Sequence, residues 1–246
     1  AHIEAGLRSH SFSEPFPEEF NRRVASLTAA LHFAPTQTNK LALVSEGVDP
    51  ESVHVTGNTV IDALRYTVNK DAASDLLHSI LPIDQISTKK FILFTCHRRE
   101  NIGERFEEIL EALQTLAEPN PEFNFLYPLH PNPLINDKAQ SMLSNVQNIQ
   151  LLEAMPYQTF CLMMKHCYVI LTDSGGIQEE APYLDKPVLV LRERSERSEA
   201  NEAGCIKIVG TRKQDIIDEF NKLISNKKHY KKISTAPNPY GDGHSA

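Results

Sequence analysis

Hydrophobic residues follow two rhythms along this chain. Short continuous apolar runs alternate with longer stretches in which apolar positions recur every three or four residues, the pattern of buried parallel strands separated by amphipathic helices. The clearest run is Phe91-Ile92-Leu93-Phe94-Thr95-Cys96, followed by a helical pattern through Phe106, Ile109, Leu110, Leu113 and Leu116. Further strands are predicted at Phe123 to Leu129, Ile149 to Leu152, Tyr168 to Leu171, Val188 to Leu191 and Ile206 to Val209. Helices are predicted at Tyr157 to Lys165, Ile177 to Leu184 and Asp215 to Ile224. From about residue 72 onward the alternation is that of βαβ units on a parallel sheet, a Rossmann-like domain.

Residues 1 to 57 carry only short pieces: Ala1 to Glu4, Val24 to Ala34, Asn39 to Val44 and Val53 to Val55. So short a segment buries little surface by itself. It reads as the remaining part of an N-terminal Rossmann-like domain, with residues 58 to 246 as the C-terminal one. Gly57 punctuates the boundary, and a fresh helical pattern through Val60, Ile61 and Leu64 begins after it. The chain opens on Ala1 and runs straight into a strand-like segment, so it is expected to be a piece of something longer.

Composition narrows the class. The 246 residues are 41% hydrophobic and 23% charged, with a mean hydropathy of -0.34 and no apolar run of membrane-spanning length. A membrane partner is therefore not expected. A net charge of -7 argues against a broad nucleic-acid-binding face and leaves room for a local basic pocket. Cys96, Cys161, Cys167 and Cys205 stand singly in or beside apolar runs, as buried thiols of a reducing compartment would. The cytoplasm is the expected location. Histidines 32, 54, 78, 166 and 229 lack metal-ligand spacing and read as structural or surface residues.

Three segments carry candidate chemistry. Thr172-Asp173-Ser174-Gly175-Gly176 lies between a strand and a helix, where glycines let backbone N–H groups approach an anion. An ordinary tight turn with a Ser or Asp cap has the same composition. Glu179 and Glu180, expected in the first helical turn, suit either ribose hydroxyls or the helix dipole. Cys96-His97-Arg98-Arg99-Glu100-Asn101 follows the strongest strand, and its cations would form a phosphate rim or a solvated cluster. Glu4 and the pair Glu18 and Glu19 could supply an acid and a base to one sugar carbon. The plainer alternative makes Glu4 a partner of Arg8, with Glu18 and Glu19 merely opening a helix.

Together these segments resemble the non-hydrolysing UDP-N-acetylglucosamine 2-epimerase family. The resemblance runs in order through HIEAGLRS, FPEEFNR, VTGNTVIDAL, CHRREN, YPLHPNP, TDSGGIQEEAP, KPVLVLRERSER and NPYGDG. It implies an α/β, GT-B-like fold of two Rossmann-like domains facing a cleft, and interconversion of UDP-N-acetylglucosamine and UDP-N-acetylmannosamine. The sugar's C2 proton is not acidic, so the implied route eliminates UDP to give 2-acetamidoglucal and adds it back with protonation from the opposite face. That route calls for neither a cofactor nor a metal.

Carried over by position, Glu4, Glu18 and His97 are the implied catalytic residues. Ser174, Gly175 and Gly176 would bind phosphate, Glu180 the ribose, Phe160 and the Met155 backbone the uracil, and Arg197 the diphosphate. Arg99 and His130 fall on positions resembling an allosteric UDP-N-acetylglucosamine site of bacterial members. A homodimer is also implied. The family's N-terminal phosphate loop and catalytic aspartate have no counterpart here, so turnover by these residues alone is not expected. Ser198 stands where the family usually has proline. The other readings are a hydrolysing 2-epimerase that releases N-acetylmannosamine, a non-catalytic UDP-binding module, and a GT-B glycosyltransferase, in which the paired glutamate segments would have no role.

Overall fold

The structure is a computed structural model, and it describes residues 1–12, 16–69, 90–195 and 197–245. Two parallel sheets carry the chain. The smaller uses β1 (His2–Ile3), β2 (His32–Ala34) and β3 (Val53–Val55), in that order. Its helices are α1 (Glu18–Thr28) and α2 (Gln37–Ser45). Pro17 precedes the first residue of α1, and the Thr36 side chain caps α2 by accepting from the Asn39 N–H. The turn after β1 needs Gly6, which sits at φ +90°; a Cβ there would lie 2.2 Å from the Asn39 carbonyl oxygen.

Asn58 caps α3 (Thr59–Val68), whose buried Ile61, Leu64 and Val68 pack into the larger unit. The larger sheet contains β4 (Lys90–Thr95), β5 (Phe123–Pro128), β6 (Ile149–Leu152), β7 (Val169–Thr172), β8 (Val188–Val190) and β9 (Ile206–Ile208). All neighbours are parallel. The crossover helices are α4 (Glu104–Ala117), α5 (Pro133–Leu143), α6 (Tyr157–His166), α7 (Gly175–Tyr183) and α8 (Ser198–Ala203). The chain then forms α9 (Lys213–Ser225) and α10 (Lys227–Ser234).

One core lies under α4, α5 and α9, around Phe94, Leu110, Phe125 and Phe220. The other lies under α3, α6 and α7, around Leu93, Met163, Ile170 and Val188. Alternate residues of one strand therefore feed opposite layers, which is why the strands read as unbroken apolar runs.

The strand order is β6-β5-β4-β7-β8-β9. Connections from β4 run outward to one side and those from β7 to the other, so the topology reverses between these two strands. In such sheets the crevice beyond the carboxyl ends of the reversing pair is where ligands bind. It lies between the segment after Thr95 and the segment after Thr172.

Predicted strand limits move by a residue or two. Two helix readings change in kind. α7 starts at Gly175 rather than at Ile177, so Glu179 and Glu180 fall in its second turn and the dipole explanation no longer applies to them. The Gly-Gly pair thus opens the helix instead of forming a loop before it. The last amphipathic helix is followed by another, α10, which starts at an Asn226 side-chain cap on Lys228 and His229. His78 lies outside the described residues. The four cysteines are buried, as expected. Among the described residues no helix is long and apolar enough to cross a membrane.

Candidate functional site

A cavity of about 1180 Å³ opens where the loops of the two units meet. The larger unit contributes His97, Arg98, Arg99, Arg192 and Arg194; the smaller contributes Arg8, His10 and Glu18. Glu100, Glu193 and Glu199 line it too, and Arg192 pairs with Glu100 at 3.1 Å, so the cavity wall is a mixed array of charges in which arginine predominates.

The helix start beside it is built for an anion. Ser174 occupies the N-cap position of α7 without a side-chain cap hydrogen bond, so its hydroxyl does not satisfy the first-turn N–H groups. Two guanidinium groups converge there: a Cβ on Gly175 would lie 3.0 Å from Arg98 Nη2 and 3.1 Å from Arg197 Cζ. Glycine is what lets both approach the helix end. Of these two arginines, the family resemblance implies a diphosphate role only for Arg197. Arg98 was legible as part of a cationic motif, but nothing in the sequence says which of two adjacent arginines turns toward the helix.

The two candidate carboxylates sit differently. Glu4, directly after β1, is exposed and held at φ +60°, a left-handed conformation that costs a non-glycine residue about 1–2 kcal/mol. Its Oε1 lies 3.9 Å from Arg197 Nη2. The pairing with Arg8 does not form; Arg8 donates to Glu46 at 2.7 Å and holds that carboxyl below its ordinary range. Glu18 opens α1, is exposed and lines the cavity with His97. Its neighbour Glu19 is fully buried, accepting from the Ser9 N–H and from Arg23 Nε. The pair is therefore split into a cavity-facing residue and a structural one.

His97 is half-buried at the end of β4, and its ring stacks on that of His130 with centroids 5.3 Å apart. Arg99 and His130 are both exposed on that side. Met155, before α6, and Phe160, within it, are half-buried against the core. Glu180 is 6% exposed and accepts a short hydrogen bond from the Tyr157 hydroxyl through Oε1. Burial raises the Glu180 carboxyl while the Tyr157 bond opposes that shift. Its Oε2 lies 3.9 Å from the Cβ position of Gly176, on the helix-start side.

Glu179 is the largest surprise at the site. It is 2% exposed and accepts from Arg197 Nε and from Asn58 Nδ2, both at 2.7 Å. Burial pushes its carboxyl up to about 7, with Arg197 opposing and Glu4 adding to the rise. Glu179 therefore anchors Arg197 while joining α7 to the start of α3. Glu199 in α8 reaches the smaller unit, accepting from Thr36 Oγ1 at 2.8 Å and Asn39 Nδ2 at 3.2 Å. Ser198 is the first residue of α8, a position that accommodates proline or serine equally well.

The sequence profile described as UDP-N-acetylglucosamine 2-epimerase matches residues 1–246. The chain belongs to that family. It is 47% identical to the UDP-N-acetylglucosamine 2-epimerase of Campylobacter jejuni, over 99% of this chain and 65% of that protein. A crystal structure of UDP-GlcNAc 2-epimerase from Neisseria meningitidis bound to UDP-GlcNAc is similar at TM-score 0.95 and 45% identity, over 99% of this chain and 66% of that one. The S. aureus MnaA–UDP co-structure is similar at TM-score 0.90 and 46% identity, over 99% and 65% respectively. The chain thus spans 65% or 66% of the length of each of these three relatives. The fold is the GT-B-like α/β fold of these epimerases.

Proposed function

We propose that the protein interconverts UDP-N-acetylglucosamine and UDP-N-acetylmannosamine, with residues 58–246 as its UDP-binding domain and residues 1–57 as part of the domain that works on the sugar. The observation that carries this reading is the helix start at Gly175, free of a side-chain cap and overhung by Arg98 and Arg197. Related proteins whose structures hold UDP-GlcNAc or UDP support the choice of ligand.

In the proposed reaction a base takes the C2 proton and the bond from C1 to the UDP oxygen breaks, leaving 2-acetamidoglucal and UDP. A proton then reaches C2 from the opposite face while the UDP oxygen re-forms the bond to C1. Charge develops on the leaving diphosphate, where preoriented N–H groups and guanidinium groups stabilise it most. The α7 N-terminus with Ser174, Gly175 and Gly176, together with Arg98, Arg197 and His97, is assigned that task. Glu4 and Glu18 are assigned the proton transfers. Glu180 would hold the ribose through its Oε2, and Phe160 and the Met155 backbone the uracil. Arg99 and His130, beyond His97, are assigned to a second, regulatory UDP-sugar contact. A cytoplasmic homodimer belongs to the same reading.

Titration calorimetry of the 246-residue chain with UDP is expected to give saturable binding, and absence of binding would overturn the reading. For the catalytic claim, incubation of the protein with UDP-N-acetylglucosamine in D2O is expected to place deuterium at C2 of both epimers. Free N-acetylmannosamine and UDP as the main products would instead indicate a hydrolysing enzyme.

A further inference from the structure

We infer that Asp173 is the positioning residue of the anion site, its buried carboxylate setting the backbone of the loop that carries His97 and Arg98; this rests on the diphosphate reading of that cleft. Asp173 follows β7 and is fully buried. It does not cap α7. Its side chain turns across the sheet toward the end of β4, where the Arg98 N–H donates to Oδ2 at 2.8 Å and the His97 N–H to both oxygens at 3.0 and 3.1 Å. Asn101 Nδ2 donates to Oδ2 at 2.9 Å and the Cys96 thiol at 3.2 Å. Asn101 Nδ2 also reaches the Leu191 carbonyl at 3.3 Å, where the segment leading to Arg197 begins. Three segments are thereby joined at one side chain: the loop after β4, the turn into α7 and the loop after β8.

A carboxylate suits this set of donors. All four reach Oδ2 and the His97 N–H reaches Oδ1 as well, so an amide with its oxygen at Oδ2 would give up the charge and turn its N–H₂ against the His97 N–H. All four donors are uncharged, so these contacts satisfy the Asp173 charge with dipoles and draw no guanidinium from the cleft. Beneath it the Thr95 and Thr172 hydroxyls meet at 2.7 Å and Tyr127 donates to the Cys96 carbonyl at 2.9 Å, so the carboxylate stands on a hydrogen-bonded floor. With the amides of residues 97 and 98 held, the Arg98 side chain is directed toward Gly175.

The test compares UDP with uridine, which lacks phosphate, as ligands of wild-type chain and Asp173→Asn. UDP affinity is expected to fall about tenfold or more, because the buried charge that the donors serve is gone and an amide N–H₂ now faces the His97 N–H, while uridine affinity holds. In amide hydrogen exchange, His97 and Arg98 should lose protection in the variant. Equal losses for UDP and uridine, or unchanged protection at both amides, would overturn the inference. Should Asp173→Asn fail to fold, Asn101→Ala cuts the link to Leu191 and leaves both amide donors in place. It is expected to weaken UDP severalfold and uridine not at all, and wild-type UDP affinity in that variant would count against the inference. Wild-type chain that binds uridine without preferring UDP would sink the diphosphate reading instead, and the exchange measurement would still judge whether Asp173 holds the loop.

Discussion

Gly175 is the residue on which the anion site turns. Its missing side chain is what allows two cationic groups to rest over a helix start, so its role is separable from backbone conformation. Substituting Ala adds a methyl 3.0–3.1 Å from atoms of both guanidinium groups, which must then draw back from the helix start by a few tenths of an ångström. Ala is also the better helix former, by up to about 1 kcal/mol. Gly175→Ala is therefore expected to weaken UDP binding severalfold while the melting temperature holds or rises by a few degrees. Calorimetry alongside thermal unfolding checks both. Glu4 is strained for a related reason, since its left-handed backbone carries a carboxylate toward Arg197.

Among the elements, α3 leads from the smaller unit into the larger and packs beside α7 over the same core. A single side chain serves both: the Asn58 oxygen caps α3 through the Val60 N–H, and its amide donates to buried Glu179. Asn58→Ala removes a cap worth about 1 kcal/mol and also leaves a buried carboxylate short of a donor. A loss of about 2–3 kcal/mol follows, to be measured by urea denaturation. Replacing the exposed cap Asn226 of α10, whose contacts are solvent-facing, should cost no more than the cap itself. Elements of this kind were readable in advance, because strand and helix periods are local properties. α7 starts two residues earlier than its sequence pattern predicts, because glycines in sequence announce a turn, whereas here the helix includes them and presents their N–H groups.

For the whole molecule, the buried Glu179 couples stability to pH. Its carboxyl moves from an ordinary 4.5 to about 7 on folding, so the folded state holds a proton that the unfolded chain releases. The resulting stabilisation is complete below about pH 4.5 and is lost as pH rises through 7, an effect on the order of 3 kcal/mol. Arg197, Glu4 and Glu180 face the same group, and Glu46, held low by Arg8, contributes with the opposite sign. Subtracting the stability profile of Glu179→Gln from that of the wild type between pH 4.5 and 8 should isolate the falling component. A flat difference would contradict it. By itself the sequence determined the α/β class, the succession of strands and helices, and the motifs that mark the cleft, because hydrophobic period and turn chemistry act between near neighbours. Only the tertiary structure decided that Asp173 faces back to the loop after β4, that Arg98 rather than Arg99 overhangs the helix start, that Glu179 holds Arg197, and that Glu199 reaches Thr36. Those contacts join residues far apart in the chain, and which of them meet depends on the order in which parallel strands lie side by side, a choice the local pattern of residues leaves open.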